Sequence, residues 1–161
     1  MTAASSSRAA VSVAALACGV DDTRQPQRTF ADPDGKLDWK EYLSVERVPT
    51  LTNDTGARYA VYWTASDGKV LVMLEESGQD FEYYTHYCFG KTGELLSLRF
   101  ELRTAWGWGF RREGPMVNGI WKPTNSGYID TDGDKPIPRL SKRFQATHLQ
   151  ASSRSAIRKF I

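Results

Sequence analysis

The sequence predicts a mainly β protein built on an antiparallel meander sheet of five or six strands, with short helical additions at its ends. The first observation is the alternation of apolar and polar residues from Leu96 to Phe110, typical of a strand with one buried face. The second is Asp67-Gly68, a strong hairpin signal between two β-rich runs. The third is an aromatic content of 12%, concentrated between Tyr59 and Tyr128, which suits a pleated, half-buried surface.

The length of 161 residues fits one domain with a proper core. We divide the chain into a signal or tether segment (1–31), an antiparallel β domain (32–140) and a basic helix or tail (141–161). A C-terminal helix packed on the sheet would make the fold α+β. From Lys135 onward the chain has basic but no acidic residues, yet it has no dense basic cluster beside stacking aromatics. The tail therefore carries no specific nucleic-acid signature.

Turn residues and hydrophobic patterns place the elements in order. The strands of the first two hairpins are expected at Tyr59–Ala65, Val70–Glu76, Phe81–Phe89 and Leu95–Trp108. Before them we expect helical turns over Leu37–Leu43 and a strand over Ser44–Leu51. After them we expect a turn at Arg111–Pro115, a strand over Met116–Lys122 and a short edge strand at Tyr128-Ile129.

The second hairpin has a predicted register. A turn at Thr92-Gly93 places Glu82 opposite Arg103 and His86 opposite Arg99, with one face apolar and the other charged. A slip of one residue would bury the charged side chains, which is unfavourable. A longer, bulged loop between the glycines at 90 and 93 would shift the pairing by one.

The N-terminal region has the features of an export signal. Arg8 precedes a short run of small apolar residues that ends at Ala17, and this pattern predicts cleavage after Ala17. The run is too short to span a bilayer. The segment Ala15-Leu16-Ala17-Cys18 also resembles the lipobox of bacterial lipoproteins, which would make Cys18 the lipidated first residue and a lipid anchor. We expect an exported protein that is periplasmic, envelope-anchored or secreted.

Two cysteines leave the redox state open. Cys18 and Cys88 can pair in an oxidising compartment. Because Cys18 lies in a segment expected to be removed or lipidated, we expect Cys88 to be a free, partly buried thiol.

Two oxygen-rich clusters have the residue types of a calcium site. Residues 32–41 resemble the second half of an EF-hand loop, with Asp32, Asp34 and Glu41 as acids, but Phe30 falls at its first ligand position. The second cluster consists of Asp130, Asp132 and Asp134. Both fit turns better than metal sites, so calcium is the one ion we name and no cofactor is implied.

The polar face of the second hairpin carries the candidate catalytic groups. They are Glu82, Tyr84, His86, Cys88, Arg99, Glu101 and Arg103. An enzyme would use His86 as a general base, one glutamate as its partner, and the arginines as a clamp for an anionic substrate. His86 and Cys88 are too far apart along one strand for a direct nucleophile–base hydrogen bond. A solvated face of charge pairs explains the pattern more simply.

Three tryptophans are the candidate ligand-binding residues. Trp106, Trp108 and Trp121 can stack on a sugar ring or line an apolar pocket. The first two continue the apolar face of Leu96–Leu102, so we expect Trp106 to be buried and Trp108 to be the more exposed. The sequence favours a noncatalytic exported module that binds a ligand or protein partner. The alternative is a small enzyme that uses the face around His86.

Overall fold

A computed structural model of the protein describes residues 12–34, 38–48 and 58–130. One short helix, α1, spans Val13–Cys18. The nine strands of the described residues are β1 (Arg28–Asp32), β2 (Lys40–Tyr42), β3 (Arg58–Thr64), β4 (Val70–Ser77), β5 (Phe81–Phe89), β6 (Leu95–Thr104), β7 (Trp108–Val117), β8 (Ile120–Trp121) and β9 (Asn125–Asp130). The prediction of a mainly β fold is confirmed.

The strands form one antiparallel sheet that follows chain order along most of its width. The order is β2-β1-β3-β4-β5-β6-β7, so β1 lies between β2 and β3. At the far side β7 pairs with β9, and its last residues form a small hairpin with β8. Neighbours in sequence are therefore neighbours in space from β3 to β7, as expected of a meander.

The register predicted for β5 and β6 is confirmed over most of the hairpin. Glu82 lies opposite Arg103 and His86 opposite Arg99. The register shifts at Phe89, which lies opposite Leu95, and this β-bulge leaves Leu96 as an extra residue. Leu95 consequently packs against one face of the sheet and Leu96 against the other.

The alternating run from Leu96 to Phe110 is two strands rather than one. The chain turns over residues 105–107, where Gly107 has a φ of 81°, and β7 returns beside β6. Leu102 lies opposite Phe110, so even-numbered residues pair with even-numbered residues and remain on the same face after the turn. Because the apolar–polar alternation continues through this reversal, the sequence pattern gives no sign of the turn. The turn expected at Arg111–Pro115 lies inside β7.

Three further predictions of secondary structure were wrong. The strand expected over Met116–Lys122 is interrupted by Asn118-Gly119, both with positive φ, which is the backbone of a tight two-residue hairpin turn. The helical turns expected at Leu37–Leu43 are replaced at Lys40–Tyr42 by β2. Within the described part of the strand expected at Ser44–Leu51, the chain makes a 3-10 turn over Val45–Arg47.

The sheet buries side chains on both faces. We call the first face the core face; its buried residues are Ala60, Val70, Val72, Leu74, Tyr83, Tyr87, Phe89, Leu98, Phe100, Leu102, Trp108 and Phe110. We call the second face the α1 face; its buried cluster consists of Ala15, Cys18, Val20, Val61, Trp63, Ala65, Leu71 and Cys88. The alternation of β4 and β5 sends successive side chains to opposite faces, so each strand contributes to both clusters.

The N-terminal segment packs on the sheet. Ala15 and Cys18 of α1 are fully buried, and a disulfide joins Cys18 to Cys88 of β5. The expectation that Cys88 is a free thiol was wrong, since its partner belongs to the folded structure. The segment 1–31, expected as signal or tether, contains α1 and most of β1. The tail at 141–161 lies outside the described residues.

Candidate functional site

A cavity of about 460 Å³ lies between α1 and the α1 face of the sheet. Val13, Ala14 and Ala17 line it from the helix. From the sheet, apolar lining comes from Leu71, Leu96 and Pro115, and polar lining comes from His86, Ser97, Arg99 and Glu113. A largely apolar cavity with a few polar groups is the usual form of a small-molecule site.

His86 reaches the cavity because the register of β5 points its side chain to the α1 face, as it does for Cys88. Its Nδ1 atom is buried and has no hydrogen-bond partner. Burial, aided by the positive charge of Arg99, lowers the pKa of His86 to about 4, although Glu101 and Asp22 act in the opposite direction. The imidazole is therefore neutral near pH 7.

Arg99 is held between two carboxylates. Its Nη2 donates to Glu101 at 3.3 Å, and its Nη1 lies 3.3 Å from a carboxylate oxygen of Glu113 on β7. Arg103 donates from Nε to Glu101 at 2.7 Å. Burial acts to raise the pKa of Glu101, but the hydrogen bonds and charges of Arg103 and Arg99 outweigh it and lower that pKa. The positive charge of Arg99 is thus already balanced inside the protein.

The candidate catalytic residues are only partly brought together. His86 and Arg99 line the cavity, and Glu101 and Arg103 adjoin Arg99 through ion pairs. Glu82 is opposite Arg103 as predicted, yet it accepts a hydrogen bond from Tyr84, while Arg103 pairs with Glu101.

The face around Arg99 is more buried than a solvated face would be, and Glu101 is only 7% exposed. The predicted β5–β6 register was correct, but the ion pairs of Arg99 and Arg103 do not cross from β6 to β5. They join residues within β6 and link β6 to β7.

The three tryptophans do not form a common exposed surface. Trp106 occupies the turn between β6 and β7 and is 51% exposed, whereas Trp108 is 8% exposed in the core-face cluster. The predicted order of exposure was wrong, because the turn places Trp106 at the tip. Trp121 packs against the same cluster, with Arg112 over its ring and its Nε1 donating to the Gly114 carbonyl.

The oxygen-rich clusters give no metal site within the described ranges. Asp32 is buried and pairs with Arg58, and Glu41 pairs with Arg28. Asp130 ends β9, opposite Trp108, while Asp132 and Asp134 lie outside the described residues.

Sequence reasoning missed the helical side of the cavity and two of its sheet residues. Ala14, Ala15 and Ala17 of α1 were assigned to a signal segment, yet Ala15 is fully buried against the sheet and the other two line the cavity. Leu96 reaches the cavity only because of the bulge, which a strict alternation does not predict. Glu113 was assigned to a turn; its placement opposite Arg99 would have followed from recognising the reversal at Gly107.

The chain matches no protein-family model, no curated protein and no solved structure in searches of each. Within the described residues, no helix is long and apolar enough to cross a membrane.

Proposed function

We propose that this protein is a noncatalytic exported module that binds a small, mostly apolar ligand in the cavity beneath α1. The observation that carries the proposal is His86, which lines the cavity and has a buried Nδ1 without a hydrogen-bond partner. Leaving a buried polar group unpaired costs about 1–3 kcal/mol, and such groups in native proteins call for an explanation. Rotation of the imidazole toward the cavity would let a ligand with one hydrogen-bonding group supply the missing partner.

The same geometry gives less support to an enzyme built on this face. The sulfur of Cys88 is in a disulfide, so it is no nucleophile. Nothing in the described residues orients His86 through a hydrogen bond, and a histidine with a pKa of about 4 is a weak base at neutral pH. Arg99 and Arg103 already pair with Glu101, so neither is poised as an anion clamp.

The aromatic end of the sheet is also a weaker candidate than the cavity. Trp108 and Trp121 contribute to the core-face cluster, so their rings stabilise the fold. Trp106 is exposed and stacks on Trp108, with ring centroids 6.5 Å apart. A single exposed ring offers less contact area than the concave cavity.

The disulfide supports the exported part of the proposal, since disulfides persist in oxidising compartments. A thioether-linked lipid on Cys18 and the disulfide exclude each other, because both use the same sulfur. Cleavage after Ala17 would also remove most of α1 and one side of the cavity. The binding proposal therefore requires that Val13–Ala17 remain in the exported protein, and intact-mass analysis of periplasmic or secreted material measures this.

A cavity-filling variant with a matched control tests the proposal. Ser97 lines the cavity, while Ser77 lies on the same face of the sheet away from it; both are half-buried. Ser97→Trp should weaken binding of the neutral fluorescent probe N-phenyl-1-naphthylamine at least tenfold, because the indole would occupy the ligand volume. Ser77→Trp should bind as the unaltered protein does. Absence of probe binding to the unaltered protein, or equal binding by both variants, would contradict the proposal.

A further inference from the structure

The charges beside the cavity disfavour the binding of a negatively charged ligand. Arg99 is the basic residue among the described lining residues, and it is flanked by Glu101 and Glu113, each 3.3 Å away. An incoming carboxylate or sulfonate would have to displace one of these glutamates or lie beside them. Like charges at such short range repel strongly in a partly buried site.

The other polar lining group does not compensate for that repulsion. The imidazole of His86 is neutral, so it contributes no positive charge to the cavity. A neutral imidazole has one nitrogen that donates and one that accepts, and its Nδ1 has no protein partner. Once the ring turns this atom toward the cavity, a hydroxyl, carbonyl or amine group on the ligand would satisfy it without bringing a charge.

From this arrangement we infer that the cavity selects neutral, mostly apolar ligands that carry a hydrogen-bonding group, and that Glu113 sets this selectivity by neutralising Arg99. The inference rests on the proposed binding function and names its ligand class. Glu113 also accepts a hydrogen bond from Asn125 at 2.9 Å, so its carboxylate is held in place from a second direction. Glu113 thus acts as a specificity-determining residue.

Two fluorescent probes that share an arylamine frame test the selectivity. N-phenyl-1-naphthylamine is neutral, and 8-anilino-1-naphthalenesulfonate carries one negative charge. In Glu113→Gln the amide oxygen still accepts from Asn125, but Arg99 loses one carboxylate. We expect this variant to bind the sulfonate about fivefold to tenfold more tightly at pH 7.5 and the neutral probe within twofold of the unaltered protein.

Glu82→Gln is the matched control, because it removes the same charge from the same face of the sheet without touching the cavity. We expect it to change neither affinity. An unchanged sulfonate affinity in Glu113→Gln, or the same gain in Glu82→Gln, would overturn the inference while leaving binding of the neutral probe intact. Failure of the unaltered protein to bind the neutral probe would instead overturn the proposed function.

A second variant tests the hydrogen bond. His86→Phe keeps a planar ring in the cavity wall but removes both nitrogens, so binding of the neutral arylamine should weaken severalfold. An affinity equal to that of the unaltered protein would remove His86 from the recognition of the ligand.

Discussion

The two faces of the sheet differ in what their side chains do. The core face is a continuous cluster of aliphatic and aromatic residues from five strands, including Leu74, Tyr87 and Phe110. The α1 face has a smaller apolar cluster, a disulfide, a charged network around Arg99, and the cavity of about 460 Å³. One sheet can therefore place most of its packing energy on one side and leave the other side free for a binding site.

The largest expected effect comes from removing the disulfide, which ties α1 to the sheet. Cys18 and Cys88 are 70 residues apart. A disulfide that closes a loop of that length is expected to stabilise the folded state by about 4 kcal/mol, because it lowers the entropy of the unfolded chain. The double variant Cys18→Ser/Cys88→Ser should lower the free energy of unfolding in urea by that order. A loss below about 1 kcal/mol would show that the α1 face does not depend on the cross-link.

The next prediction compares the stability lost by truncating a leucine on each face of β4. Leu74 and Leu71 of β4 are each 1% exposed, but Leu74 packs in the core-face cluster and Leu71 lines the cavity. Leu74→Ala should cost about 4 kcal/mol, in the upper part of the range for buried leucines, and Leu71→Ala about 2 kcal/mol, because one side of it already lacks packed atoms. If urea unfolding showed that both variants lose the same free energy of unfolding, the two faces would not differ in packing as proposed.

The third effect is the pH dependence that His86 introduces. Its pKa falls from an ordinary 6.5 to about 4 on folding, so between these values the unfolded chain binds a proton that the folded chain does not. The free energy of unfolding is therefore unaffected by His86 above pH 6.5. As the pH falls from 6.5 to 4, protonation of His86 in the unfolded chain lowers that free energy by about 3 kcal/mol. In urea titrations, His86→Gln should reduce the change in the free energy of unfolding between pH 6.5 and pH 4. An unchanged pH dependence would argue that His86 is solvated.

Local pattern was enough to predict the sheet and the β5–β6 register, because charged residues on one face of a hairpin penalise any slip. It was not enough to find the β6–β7 turn, since the reversal keeps residues of the same parity on the same face. The turn at Asn118-Gly119 was available from the sequence, as the strongest signal for a two-residue hairpin, and was overlooked.

The candidate site was less predictable than the fold because its parts come from distant segments. His86 and Arg99 follow from the hairpin register, but the cavity also needs α1, Glu113 and the Cys18–Cys88 link. Alternation gives the direction of a side chain and contains no information on what covers it. That is why a face expected to be solvated is in fact partly closed by the N-terminal helix.

The bulge at Phe89 makes the cavity adjustable by a change in chain length. Leu96 is the extra residue that the bulge turns toward α1, while Leu95 takes the position on the core face opposite Phe89. Deleting Leu96 would leave Leu95 and Ser97 in an uninterrupted ladder and remove one apolar wall of the cavity. A single-codon deletion or insertion at this point would thus resize the ligand space while the rest of the sheet keeps its pairing.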